Sequence, residues 1–214
     1  MNWARTSSKL QDRDGDGASA PTIDFNGGAI AYRLRTVGQE PLLRALGPPK
    51  PGTPPMIDAT AGLGRDAIVA AAAGYDVILI ERVPQVHAAL ARALERARAA
   101  DRRTATAAAR MTLMLGDSCL LLPTLQPEIV LVDPMHPQRR KAALVKKEMR
   151  LLREFTWTGE NGNDVIAAAL ASARRRVVLK WPARAPLPSS APSPTFEVVG
   201  KTIRYAVFVT GGTR

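Results

Sequence analysis

Cysteine is nearly absent: Cys119 is the only one in 214 residues. A single thiol excludes an internal disulfide. No Cys or His cluster surrounds it, so no structural zinc and no other metal is expected. No apolar run reaches the roughly 20 residues that cross a bilayer, so no membrane partner is expected. The N-terminus is polar, with Asp12, Arg13, Asp14 and Asp16, which predicts no secretory signal. There is no internal repeat of repeat-protein length. A soluble, cytoplasmic protein is the expectation. Acid is also scarce: 19 Asp+Glu stand against 30 Lys+Arg, a net charge of +11. That excess favours a polyanionic partner, because neutralising phosphates releases counterions. A generally Arg-rich composition would give the same excess with no such partner.

What is present is enough apolar material, 46%, for one well-packed domain. Residues 1–20 are polar and Gly/Asp-rich, and are expected to be mobile. Thr22–Phe25 reads as a short strand, and Glu40–Leu46 as one or two helical turns. Residues 47–55, crowded with proline and glycine, can hold neither a helix nor an inner strand. Residues 1–54 therefore read as an N-terminal extension, and 55–214 as the main domain. From Met56 the chain alternates. Strands are expected at Met56–Ala59, Asp76–Glu81, Thr112–Leu115, Glu128–Asp133 and Arg176–Lys180. Helices are expected at Arg65–Ala73, Gln85–Ala100, Ala142–Phe155 and Asp164–Ala173. Phe196–Val199 and Ile203–Thr210 read as a terminal hairpin. This pattern predicts an α/β fold: a doubly wound, mostly parallel, seven-stranded sheet ending in an antiparallel hairpin.

In such sheets ligands sit beyond the carboxyl ends of the strands, where the strand order reverses. Asp58 closes the first strand. Gly62 and Gly64 let the chain turn sharply and approach a ligand. Glu81 ends the second strand about 20 residues after the turn, where an acid grips ribose hydroxyls. Asp117 and Ser118 follow the third strand, within reach of an adenine. The turn is not G-x-G-x-x-G, and Asp66 sits at the helix start where a pyrophosphate would lie. A carboxylate there repels phosphate and suits a cation. S-adenosylmethionine has no phosphate and carries a sulfonium and an amino group, so Asp58 and Asp66 favour it over a dinucleotide. An ordinary tight turn would also explain the glycines alone.

The fourth strand ends in Asp133-Pro134-Met135-His136-Pro137. An exocyclic amine on a base is a poor nucleophile, because its lone pair is delocalised into the ring. The Asp133 carboxylate and the Pro134 carbonyl, held by a rigid turn, can accept its hydrogens. His136 can stack on or donate to a flipped base. Immediately afterwards come Arg139, Arg140, Lys141, Lys146, Lys147 and Arg150, which read as a phosphate clamp or as a solvated helix face. Arg174–Arg176 and the run from Arg92 to Arg103 are weaker candidates for the same role. Trp157, Trp181 and Tyr205 read equally as core or as stacking residues.

Residues 58–67 (DATAGLGRDA), Glu81-Arg82, Asp133-Pro134-Met135-x-Pro137 and residues 143–150 (ALVKKEMR) resemble the bacterial small-subunit rRNA guanine-N2 methyltransferase J family. Ile23-Asp24-Phe25 with Gly27-Gly28 and Arg33 is similar to that family's N-terminal segment. The likeness runs from about residue 21 to the end. It implies a class I methyltransferase fold, S-adenosylmethionine as cofactor, and methylation of one guanine N2 in 16S rRNA, as naked RNA or in the 30S subunit. It implies cofactor contacts at Arg65, Asp66, Glu81, Arg82, Asp117, Ser118, Cys119 and Asp133. The chain departs from the family at His136, where an aromatic is usual, and at Ser118-Cys119, where paired hydroxyls are usual. Two alternatives stay open at this stage. One is methylation of an adenine or cytosine amine in DNA or another RNA. The other is a non-catalytic RNA-binding protein on a methyltransferase fold. The oligomeric state is not expressed in these motifs.

Overall fold

The computed structural model describes residues 22–134 and 159–211. The helix expected at Ala142–Phe155 lies outside them, as do the first 20 residues. Within the described residues the elements run α1 (Gly28–Arg35), a 3-10 turn (Val37–Gln39), α2 (Pro41–Leu46), β1 (Met56–Asp58), α3 (Arg65–Ala72), β2 (Val77–Glu81), α4 (Pro84–Arg98), α5 (Arg102–Ala109), β3 (Met111–Leu115), α6 (Ser118–Leu125) and β4 (Ile129–Val132). Then follow α7 (Gly159–Ser172), β5 (Arg176–Pro182), β6 (Phe196–Val199) and β7 (Ile203–Val209). The seven strands form one sheet in the order β3-β2-β1-β4-β5-β7-β6. The pairs among β1–β5 are parallel, and β7 is antiparallel to both β5 and β6. The α/β sheet with its antiparallel hairpin is the architecture the alternation implied.

The strands are apolar on both faces because both faces are covered. Their side chains alternate between two cores. Met56, Leu79, Leu131, Val178, Tyr205 and Val207 pack on one side, with α1 to α5. Ile57, Ile80, Val130, Val132, Leu179 and Phe208 pack on the other, with α6 and α7. Helix α4 shows why such segments are helical. Pro84 opens it, and Val86, Leu90, Ala93, Leu94 and Ala97 form a buried stripe, the spacing of one helical face.

Three local outcomes differ from expectation. Thr22–Phe25 is not a strand: the Asp24 carboxylate accepts the Asn26 N–H at 2.9 Å and turns the chain, while Ile23 and Phe25 are buried. Helix α5 was not anticipated, because its Ala/Arg/Thr sequence lacks a broad apolar stripe. Asp101 caps it by accepting from the N–H groups of Arg103 and Thr104, which satisfies donors that have no partner inside the helix. Helix α6 was not anticipated either, since Pro123 stands within it; Asp117 caps its start.

The segment before Pro55 shares the main core. Ile23, Phe25, Ile30, Leu34, Leu42, Ala45 and Leu46 are buried with the sheet. Polar ties reinforce this: Tyr75 Oη donates to the Gly47 carbonyl at 2.6 Å, and Arg176 Nη1 to the Ala45 carbonyl at 2.7 Å.

Candidate active site

Strand order reverses between β1 and β4. The crevice beyond their carboxyl ends is a cavity of about 460 Å³, within the range of roughly 300–1,000 Å³ typical of small-molecule sites. Asp58, Gly62, Arg65, Asp66, Glu81, Arg82, Asp117, Ser118, Cys119, Asp133 and Pro134 all line it. Of the cofactor residues expected from sequence, Gly64 alone is not among its walls. His136, Arg139, Arg140, Lys141, Lys146, Lys147 and Arg150 lie outside the described residues.

The glycine turn is built by Glu81. Its Oε2 accepts the Gly62 N–H at 2.9 Å and its Oε1 the Val83 N–H at 2.8 Å. Gly62 has φ +51°, a left-handed conformation that costs any side chain. Gly64, at φ +67°, has a different role. A Cβ there would lie 3.0 Å from Leu90 Cδ1 and 3.2 Å from Phe25 Cζ, so this glycine lets α3 start against the core. Burial pushes the Glu81 carboxyl up, against the pull of its backbone donors.

Asp58 is buried, and its Oδ1 accepts the Thr60 N–H at 3.1 Å. Burial, with Asp66 and Asp133 nearby, pushes its carboxyl up to about 7. Asp117 holds the Cys119 N–H at 2.8 Å. Ser118 is turned inward, donating from Oγ to the Ala59 carbonyl at 2.6 Å. Burial and the Asp117 charge push the Cys119 thiol up to about 11. That shift favours the protonated thiol, the weakly nucleophilic form.

Asp66 lines the cavity, but its carboxylate is also engaged by the protein. Sequence reasoning reserved it for the cofactor's cation. In the fold both its oxygens already face protein cations: Arg33 Nη1 at 2.8 Å and Lys180 Nζ at 2.7 Å. Burial opposes its charge, but Lys180 and Arg33 hold the carboxyl below its ordinary value. Arg33 is itself gripped twice by Glu40, at 3.0 and 2.8 Å. The same Lys180 Nζ also reaches Asp133 Oδ2 at 2.7 Å. Asp133 is anchored from behind as well, its N–H donating to Thr60 Oγ1 at 2.7 Å.

Two residues that sequence reasoning did not single out therefore complete the site. Thr60 had no signal beyond its place in the turn. Lys180 had one: a charge closing the apolar strand RVVLK needs a partner in a buried setting. It stands in phase with Val178 rather than with Val177 and Leu179, which puts it on the α3 side of the sheet. Gly162, Asp164 and Val165 of α7 add a further wall.

The family model described as "Putative SAM-dependent methyltransferase" matches residues 1–210. The chain belongs to this family of S-adenosylmethionine-dependent methyltransferases. It is 51% identical, over 89% of its length and 95% of the relative's, to a protein of Rhodopseudomonas palustris named ribosomal RNA small subunit methyltransferase J. It is 50% identical to a protein of the same name from Brucella anthropi, over 87% of this chain and 92% of the other. A crystal structure of a SAM-dependent methyltransferase from Neisseria gonorrhoeae superposes with TM-score 0.70 at 29% identity, covering 90% of this chain and 76% of that one. An rRNA methyltransferase of Streptomyces viridochromogenes shares the fold, with TM-score 0.52 at 14% identity over 83% of this chain and 85% of that one.

The residues fit the methyltransferase cofactor. Asp58, Glu81 and Asp117 are acids held by backbone N–H groups, with apolar walls between them from Ala59, Leu63, Ile80 and Val165. That donor set suits a ligand with cationic centres, a diol and a flat ring. No group of three or more Asp, Glu, His or Cys that could hold a metal exists among the described residues. No helix among them is long and apolar enough to cross a membrane.

Proposed function

We propose that this methyltransferase methylates the exocyclic N2 amine of one guanine in 16S rRNA, as RNA or in the 30S subunit. The relatives named for small-subunit rRNA and the net charge of +11 support the RNA substrate. The observation that carries the amine chemistry is Asp133. It is 37% exposed at the cavity, with one oxygen held by Lys180 and its own N–H held by Thr60.

In this reading Glu81 binds the ribose hydroxyls, Asp58 faces the cationic part of the cofactor, and Arg65 its carboxylate. Arg82, Gly62, Asp117, Ser118 and Cys119 shape the adenine end. When bound, the cofactor supplies an electrophilic methyl group. The chain's task is to present the amine in line with it. The Asp133 oxygen that Lys180 does not hold and the Pro134 carbonyl accept the two amine hydrogens, which draws the lone pair out of conjugation. No strong base is required, since the methylated nitrogen readily gives up its proton. His136 faces the base, and Arg139, Arg140, Lys141, Lys146, Lys147 and Arg150 hold the RNA backbone. That clamp predicts an RNA affinity that falls steeply with salt.

The test is mass analysis of 16S rRNA nucleosides from a strain lacking the gene. N2-methylguanosine should be lost at one position. Wild type should restore it, and Asp133→Ala should not, although purified Asp133→Ala still binds the cofactor in calorimetry. Loss of a methylated adenine or cytosine instead would favour the other amine substrates. An unchanged nucleoside profile with no cofactor binding would favour a non-catalytic RNA-binding protein.

A further inference from the structure

One half-buried charge chain runs through the site. Glu40, Arg33, Asp66, Lys180 and Asp133 alternate in sign, each joined to the next at 2.7–2.8 Å. It starts beyond helix α1, crosses the first turn of α3 and the end of β5, and ends on the carboxylate that faces the cavity. Lys180 Nζ is the joint between its two halves. It touches Oδ2 of both Asp66 and Asp133.

We propose that Lys180 is a positioning residue for the methyl transfer: it ties Asp133 Oδ2 to the α1–α3 wall and leaves Oδ1 to accept an amine hydrogen. The inference rests on the reading of Asp133 as the amine grip. Three observations support it. The Lys180 side chain is 23% exposed and lines the cavity beside Asp133 and Pro134. Its backbone is fixed in β5, where Tyr205 of β7 is the cross-strand partner of Lys180 and the pairing with β4 runs up to the preceding Leu179. Its far side is fixed too, because Arg33 holds the other oxygen of Asp66. An ammonium donates up to three hydrogen bonds and accepts none. Lys180 thus locks the rotation of the Asp133 carboxylate without competing for the amine hydrogens.

The charge matters as well as the geometry. Burial raises the Asp133 carboxyl and Asp66 raises it further, while Lys180 lowers it. The other groups facing this cluster are Asp58, Arg33 and Tyr205. Burial works against the Lys180 charge, but Asp66 and Asp133 outweigh it and hold the ammonium above its ordinary range. Lys180 is therefore a fixed cation at working pH and not the base that takes the amine proton. Its charge opposes the upward push of burial on Asp133 and so favours the ionised form, which accepts hydrogen bonds.

The test compares Lys180→Gln and Lys180→Arg in single-turnover methylation of 16S rRNA across pH, with cofactor affinity measured by calorimetry. Lys180→Gln keeps a hydrogen-bond donor and removes the charge. The expected result is a rate loss on the order of 100-fold at neutral pH, the scale of a misplaced reacting group. Cofactor affinity should change little, and the acidic limb of the rate profile should move to higher pH. Lys180→Arg should restore part of the rate and return the limb towards its wild-type position. A uniform loss at every pH, or a loss confined to cofactor affinity, overturns the proposal. If Lys180→Gln does not fold, the pair Lys180→Gln with Asp66→Asn removes the uncompensated charge and is read the same way. If Asp133→Asn is itself fully active, the reading of Asp133 fails. If Asp133→Asn is inactive but Lys180→Gln is normal, only the role of Lys180 fails.

Discussion

The two halves of the cavity hold their carboxylates by different means. On the β1–β3 side, Asp58, Glu81 and Asp117 accept from the backbone N–H groups of Thr60, Gly62, Val83 and Cys119. On the β4–β5 side, Asp66 and Asp133 are held by the side chains of Lys180 and Arg33. A backbone amide orients a carboxylate without cancelling its charge. A buried lysine or arginine cancels it. The first half therefore presents carboxylates oriented by the backbone, with Arg65 and Arg82 also in its walls, an arrangement that suits a cofactor carrying both a cation and a carboxylate. The second half is internally neutralised along most of its length, which suits a neutral amine that needs geometry rather than attraction. The difference also explains the unequal exposure of the cluster to pH: Asp58 is pushed up to about 7, while Asp66 is held below its ordinary value.

The contrast can be broken from either side. Arg33→Ala should do the most to the fold. It leaves Asp66 and Glu40 short of a partner, and breaking a buried pair costs about 3 kcal/mol, visible as an earlier denaturation midpoint. Glu81→Ala should do the most to the cofactor. It removes the proposed ribose acceptor and releases Gly62, so affinity should fall roughly 100-fold in calorimetry, the scale of a charged hydrogen bond lost with its loop. The maximal rate at saturating cofactor should suffer much less.

Asp58 should make cofactor affinity depend on pH. Its carboxyl lies near 7 in the free protein, and a cationic ligand binds the ionised form. Below that pH, binding must first remove a proton, so affinity should rise with pH, by up to about tenfold per unit, and level off above pH 7. Asp58→Asn should flatten this slope. An unchanged slope would move the cationic contact elsewhere. The smallest effect belongs to the exposed pair Arg110–Asp76, at 3.0 Å and far from the cavity. Arg110→Ala should shift stability by no more than about 0.5 kcal/mol in the same denaturation assay and leave affinity unchanged.

The β1–β3 half of the cavity was the more legible in the sequence. Asp58, Gly62 and Glu81 lie at strand ends that hydrophobic runs mark plainly, and local turn chemistry fixes what the backbone does there. The chemical half was only half legible. Asp133-Pro134 stood out as a strand-ending turn, but its holder, Lys180, lies 47 residues downstream. The cations that pair with Asp66, Arg33 and Lys180, were not legible because they come from opposite ends of the chain. Helices α5 and α6 were missed for a different reason: an Asp cap and tertiary packing outweigh weak or contrary local propensity.

The sequence by itself determined the alternation of strand and helix, the acids at the strand ends, the glycine turn and the basic surplus. These follow from local periodicity and backbone sterics, which act over a few residues. Only the tertiary structure decided which acids stay charged and open and which are already neutralised. That choice depends on which side chains meet after the sheet is assembled. Two residues far apart in the chain, Arg33 and Lys180, pair with Asp66, while Asp58 is held by the backbone N–H of Thr60.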